Sequence, residues 1–366
     1  MRGLYIHIPF CKKICSYCDF PKMVSSETNK EKYINRLFEE LDYRKDDLNE
    51  ISTVYIGGGT PNSLSIELLE KLLIRIQPYI EKSKETTIEL NPDLINIEQI
   101  QLLKKYGINR ISLGVESFNN SHLKLLGRTH TKEIVYDKIK LLKENGFNNI
   151  NIDLIFGIPG ETLDDIKYNL KCFKELNINH LSYYSLILED KTIFSYLIKN
   201  NKLELLDDDL VADMYDYINK FMKDNGYNHY EISNYATSGY ESIHNLLYWN
   251  TDEYVGIGLG ASGYIKPYRY TNYKTLNEYL NDFTEEKTLI DISEEKNEFF
   301  LLGLRKVNGV NLDLYKERFN SNPFDEFNID RLIKNKLLIL DNNNLKINPD
   351  KLFIANLVFE EFINED

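Results

Sequence analysis

From Leu4 to about residue 187, short runs of β-branched and aromatic residues alternate with amphipathic stretches, and no other feature restricts the chain so strongly. The runs are LYIHI, TVYIG, TTIEL, RISLGV, NINIDLIF and HLSYYSLIL. Between them KYINRLFEELDYRK, SIELLEKLLIRIQPYI, IEQIQLLKKYG, EIVYDKIKLLKENG and LDDIKYNLKCFKEL repeat apolar residues every three or four positions. Strands separated by helices are the pattern of βα units on a parallel sheet, because parallel neighbours need a crossover long enough to hold a helix. Gly107 and Gly146 follow two of the helical stretches as C-cap residues. Six strands suit a doubly wound sheet or an open barrel, and in either one reactive groups gather at the carboxyl ends of the strands. The glycine-rich and polar segments fall there: a cysteine loop, GGGTPN, NPD, ESF and GIPGET follow strands one to five in turn. Packing alone gives no reason for that placement.

Beyond Leu188 the pattern changes. A helix near DDDLVADMYDYINKFMKDNGY leads into HYEISNYA, HNLLYWN and YVGIGLGASGYI, which read as short strands. From about Ser293 a helical stretch opens a last module. It closes with KLLILDNNNLKINPD, a hairpin around an Asn-rich turn, and a terminal helix. The expected division is a βα-barrel core over 1–190, an extension over 191–290, and a winged-helix-like α+β module over 291–366.

Charge narrows the function classes. A net charge of −13 argues against a partner held by its phosphate backbone, so no nucleic-acid partner is expected. No apolar run approaches the roughly 20 residues of a membrane-spanning helix, and Met1 leads through one arginine into a strand. The expectation is a cytoplasmic protein that is not integral to a membrane.

The cysteines then stand out. Three of the four, Cys11, Cys15 and Cys18, lie within eight positions, while Cys172 is isolated, so a secreted disulfide framework is excluded. A structural zinc site would need a fourth ligand and normally uses CxxC pairs. His7 lies inside the first strand, pointing to one fixed face. An iron–sulfur cluster held by three thiolates, with one iron left open, fits the spacing better than zinc. Gly57, Gly58 and Gly59 remove side chains where backbone would approach a ligand.

On CxxxCxxC, GGGTP, GVESF, LGRTH and NIDLIFGIPGET the chain resembles the radical S-adenosylmethionine superfamily, and within it the coproporphyrinogen-dehydrogenase-like branch. The resemblance implies a 4Fe-4S cluster on Cys11, Cys15 and Cys18 whose unique iron chelates S-adenosylmethionine, served by an electron donor. It also implies cofactor contacts at Tyr5, Tyr17, Gly58, Gly59, Thr60, Glu89, Glu116, Arg128 and Asp153. Glu116 departs from the glutamine usual there, keeping the acceptor and losing the amide donor. Glu89 and Asp153 can accept from hydroxyl or amino groups, and Arg128 can neutralise a carboxylate. Taken singly, the acids could cap segments, Arg128 could form a surface ion pair, and the tyrosines could be packing. Their joint location at strand ends is the argument for a site.

Two kinds of protein share this branch. The decarboxylating oxidase that acts on coproporphyrinogen III extends the loop to CxxxCxxCxC and carries a long segment ahead of it. Here Phe20 stands at the last cysteine position, and ten residues precede Cys11. The heme-chaperone members instead carry CxYCDF and HNxxYW, matched here by CSYCDF and HNLLYW. The resemblance therefore implies heme as ligand and heme-accepting hemoproteins, membrane ones among them, as partners. Imidazole is a suitable heme-iron ligand, so His244, with Tyr248 and Trp249 as an aromatic wall, is the expected heme site. Lys266 and Arg269 lie nearby in sequence and could meet propionates, though solvated surface charge is the commoner reading of such residues. The alternative for His244 is a hydrogen-bonded packing residue.

Overall fold

The computed structural model describes residues 1–363, so the last three residues of the expected carboxyl-terminal module lie outside the described residues. Six strands form where the β-branched runs stand: β1 (Arg2–Ile8), β2 (Ile51–Gly58), β3 (Glu85–Leu90), β4 (Arg110–Glu116), β5 (Ile150–Phe156) and β6 (His180–Ser185). They pair parallel in sequence order. The crossovers are α1 (Glu27–Tyr43), α2 (Ile66–Ile80), α3 (Ile97–Lys105), α4 (Asn120–Leu126) with α5 (Lys132–Glu144), and α6 (Leu163–Leu176).

Local chemistry sets these helices. In α2, Leu68, Leu69, Leu72, Leu73, Ile76 and Ile80 make one buried stripe, and the Ser65 side chain accepts the Leu68 N–H at its start. Each such side chain contributes about 1.5–3 kcal/mol when buried. Thr162 and Asp165 form a reciprocal capping box on α6. Gly107 and Gly146 end α3 and α5 with φ of +80° and +82°, a backbone region glycine enters without penalty.

Alternation along the strands decides what faces where. Leu4, Ile6, Val54, Ile56, Ile88, Ile111, Leu113, Ile152, Leu154 and Leu181 are buried under the helices. The other face carries Tyr5, His7, Tyr55, Glu89, Ser112, Asn151, Asp153, His180 and Ser182. Glu89, Ser112, Asn151 and His180 stand side by side in register across β3 to β6. The barrel interior is thus a polar, hydrogen-bonded column, where a closed barrel of this kind is packed with branched apolar residues.

The sheet does not stop at six strands. Helices α7 (Ile193–Lys199) and α8 (Asp208–Asp224) follow β6, and then β7 (Asn228–Glu231) and β8 (Asn234–Ala236) add to its β6 edge as a hairpin. At the other edge β9 (Glu253–Ile257) lies parallel to β1 and leads into antiparallel β10 (Ser262–Ile265), β11 (Tyr268–Asn272) and β12 (Thr284–Leu289). The order β12-β11-β10-β9-β1-β2-β3-β4-β5-β6-β8-β7 never returns on itself, so the barrel is open. Residues 191–290 therefore extend the core sheet at both edges. HNLLYWN, expected as a short strand, is instead the helix α9 (Ile243–Trp249), capped by Ser242.

The last module has its own sheet, in which β13 (Val310–Asn311) and β14 (Leu338–Asp341) flank β15 (Asn344–Ile347). Asn342 and Asn343, at φ +49° and +65°, make the two-residue turn of the β14–β15 hairpin. The expected terminal helix is broken into short helical pieces, a 3-10 helix at Pro349–Ile354, an α-helical turn at Asn356–Phe359 and a 3-10 turn at Glu360–Phe362. Phe362 stacks on Phe300 at 4.6 Å between ring centroids.

Candidate cofactor pocket

A cavity of about 560 Å³ opens at the carboxyl ends of the barrel strands. Cys11, Cys15, Cys18, Tyr17, Gly58, Gly59, Thr60, Glu89, Glu116, Arg128 and Asp153 all line it. Tyr5 does not. It stands one layer deeper, its hydroxyl 2.9 Å from His7 Nδ1, and His7 Nε2 holds the Pro21 carbonyl at 2.8 Å. The end of the cysteine loop is thereby tied to β1. Cys172 is buried in α6 and takes no part.

Backbone geometry aims the pocket residues. Gly58 has φ +115°, and a Cβ there would come within 2.5 Å of the His7 ring, so a side chain is excluded twice over. Its N–H donates to Glu89 Oε2 at 2.9 Å, and the Tyr55 hydroxyl donates to Glu89 Oε1 at 2.8 Å. Glu116 has φ +65°, next to an irregularity in the β4–β5 pairing between Gly114 and Glu116. Such strain at a strand end turns its carboxylate toward the pocket. Arg128 donates to Asn91 Oδ1 at 2.8 Å and to the Gly114 carbonyl, and lies 3.7 Å from Glu116.

The electrostatics are those of a dry acidic cleft with one guanidinium. Desolvation pushes Glu89 and Glu116 up to about 7 and raises Asp153, while Arg128 pulls Glu116 the other way. Three acids beside one arginine suit a ligand that brings both a positive group and a carboxylate. The thiols fit a metal cluster by the chemistry of their surroundings. Burial raises Cys11 and drives Cys18 up to about 11, so their thiolates require a cation that the surrounding side chains supply only in part. Thr60 Oγ1 and Arg128 Nη1 reach Cys11 and Cys15 sulfur at 3.6 and 3.5 Å, contacts that steady sulfur ligands. Among the described residues no three His, Cys, Asp or Glu side chains gather as ligands to a single ion. Thiols ringing a cavity suit a body several atoms across.

The expected heme residues lie elsewhere. His244, Tyr248 and Trp249 sit on α9, which seats against the amino ends of β1, β2 and β3, the barrel floor. His244 is 1% exposed, with Nδ1 2.8 Å from Thr53 Oγ1 and Nε2 2.8 Å from the Tyr248 hydroxyl. Both ring nitrogens are engaged, so His244 is a packing residue of the floor and not an open iron ligand. Trp249 lies under the Arg305 guanidinium at 4.4 Å. Lys266 and Arg269 are paired with Glu295 and Glu298 and are not free for propionates. Sequence reasoning missed what does line the cavity mouth: Lys13, Ile14, Phe20, Lys22, Tyr184 and Ile187. Lys13, Ile14, Phe20 and Lys22 flank the cysteines, and that adjacency was the available signal.

An open βα barrel with a three-thiol loop at the carboxyl end of its first strand defines a class, the radical SAM proteins. The Radical SAM superfamily model matches residues 5–172, and the HemN C-terminal domain model matches 293–350. The chain is 42% identical to the heme chaperone HemW of Lactococcus lactis, over 100% of this chain and 98% of that protein. It is 38% identical to the heme chaperone HemW of Bacillus subtilis, over 87% of each. The solved structure of coproporphyrinogen III oxidase (HemN) from Escherichia coli, a radical SAM enzyme, superposes with a TM-score of 0.86 over 99% of this chain and 89% of that one. Identity there is 22%, so that likeness concerns the fold. The chain belongs to the HemW family of radical SAM proteins.

Proposed function

We propose that this protein is a cytoplasmic heme chaperone, which binds heme and passes it to acceptor hemoproteins, membrane ones among them. Cys11, Cys15 and Cys18 hold a 4Fe-4S cluster, fed by an electron donor, and S-adenosylmethionine occupies the cavity beside it. When bound, that pair supplies one-electron cleavage of a sulfonium. The chain's own residues orient the ligand: Glu89 and Asp153 accept from its hydroxyl or amino groups, Arg128 faces its carboxylate, and Gly58 and Gly59 let backbone come close. The observation that carries the reading is relatedness over the whole chain to proteins named heme chaperone, combined with a loop that offers three thiols and then Phe20. No helix among the described residues is long and apolar enough to cross a membrane.

The place for a flat apolar macrocycle is the cavity mouth. Phe20 and Ile187 are 67% and 69% exposed there, beside Ile14 and Tyr184. Lys13 lines the same mouth as a cation for carboxylates, while Lys22 is held on the Cys18 carbonyl. The second reading, decarboxylation of coproporphyrinogen III, is favoured only by the HemN fold. With the cluster rebuilt anaerobically, the protein is expected to bind heme, seen as a shifted Soret band, without forming protoporphyrinogen IX from coproporphyrinogen III. Sustained decarboxylation would replace the chaperone reading with the oxidase.

A further inference from the structure

The floor and the cavity are joined by one line of hydrogen bonds whose direction is fixed at every step. Asp153 Oδ1, a carboxylate acceptor in the cavity, lies 2.9 Å from Asn151 Nδ2, and the same Nδ2 donates to Ser112 Oγ at 2.8 Å. Asn151 therefore turns its carbonyl oxygen to His180, whose Nδ1 is 2.6 Å away. That nitrogen must carry the proton, which leaves Nε2 as an acceptor. The Tyr230 hydroxyl, 2.7 Å from Nε2, supplies the donor. The Tyr230 oxygen in turn accepts the Ser242 N–H at 3.2 Å, and Ser242 is the cap of α9. His180, Asn151 and Ser242 are 0–2% exposed, and the Asn151–His180 bond at the centre of the line is shut off from water.

We infer that Tyr230 and His180 are positioning residues for Asp153, forming a relay that couples the seating of α9 on the barrel floor to the orientation of the carboxylate in the cavity. This rests on the reading of the cavity as an S-adenosylmethionine site. Burial, with the nearby Arg110 guanidinium, holds His180 well below its usual pKa, so the ring stays neutral, as a directional relay needs. Two bulky side chains with no other role in the barrel would require none of this matched donor–acceptor order. The HNLLYW helix thereby acquires a task in the cavity without touching it.

The test uses the full-length protein with its cluster rebuilt and S-adenosylhomocysteine as an uncleaved probe, titrated by calorimetry. Tyr230→Phe keeps the ring and removes the hydroxyl. It is expected to weaken the probe by about 5–10-fold, the scale of one misdirected hydrogen bond, and Asp153→Asn is expected to weaken it as well. The double variant should bind no more weakly than Asp153→Asn alone, because Tyr230 acts through Asp153. Additive losses, or an unchanged affinity with only a lower melting temperature, would overturn the relay. If Tyr230→Phe does not fold, 15N spectra of histidine-labelled wild type decide: the Nδ1–H tautomer of His180 supports the relay and the Nε2–H tautomer overturns it. Failure of the wild type to bind the probe at all would overturn the cofactor reading and the relay with it.

Discussion

Glu161, in the GIPGET loop after β5, shows how one side chain stores a pH dependence. It is 1% exposed, accepts the Ile158 N–H at 3.1 Å, and has His122 Nδ1 3.9 Å from its other oxygen. Burial pushes its pKa up to about 8 against an ordinary 4.5. The folded state thus holds a proton that the unfolded chain releases. Its contribution is full below about 4.5 and is lost as pH rises through about 8. The buried histidines His7, His180 and His244 are held neutral and act with the opposite sign, so the informative quantity is the difference between two proteins. Glu161→Gln is expected to gain stability relative to wild type between pH 5 and pH 8, read as urea midpoints at each pH. A constant difference would remove the proton from Glu161. The loop was legible as a strand-end segment, but the burial of this glutamate was not, since it depends on elements far away in sequence.

Among the elements, α9 departs most from expectation. Its seven residues alternate poorly for a strand and are too few to show a helical period. What makes it helical is a local cap joined by a tertiary one. Ser242 Oγ accepts the Asn245 N–H at 3.3 Å, and Glu85, the first residue of β3, accepts the Ile243 and His244 N–H groups at 3.1 and 3.0 Å. A buried carboxylate at a helix start satisfies donors that would otherwise be orphaned. Ser242→Ala is expected to cost about 1 kcal/mol, as loss of a helix cap generally does, measured as a shift in the urea midpoint with the slope unchanged. No shift would mean that Glu85 alone seats the helix. By contrast, α2, α5 and α6 were readable directly, since each is long enough to carry its own apolar stripe.

At the scale of the whole molecule, β1 has neighbours from both ends of the core. It pairs with β2 on one side and with β9, some 250 residues later, on the other. The six βα units therefore do not complete their own sheet. A fragment ending at residue 190 would expose the β1 edge and leave the floor without α9, with Glu85 facing no helix. Unpaired edges and unsatisfied buried charge both penalise such a fragment. It is expected to lack a cooperative thermal transition and to elute as aggregate in size-exclusion chromatography. A soluble monomer that melts cooperatively would make the βα core independent of α9 and the edge strands.

The division between sequence and structure comes from the range of the forces involved. Periodicity, caps and the Asn342–Asn343 turn act within a few residues, so the strands, crossovers and closing hairpin could be read along the chain. The cysteine loop and the polar segments at the strand ends were readable because a parallel βα sheet sends its strand ends to one side, whereas Glu89, Arg128 and Asp153 were singled out by the family resemblance. Three things required the folded chain: the addition of β7 to β12 to the two edges of the core sheet, the polar column inside the barrel, and the engagement of His244 by Thr53. Each needs at least one pairing between residues tens to hundreds of positions apart: β1 with β9, Asn151 with His180, and Thr53 with His244. His244 has one identity in the sequence and two candidate tasks, and only the partners around its two nitrogens choose between them.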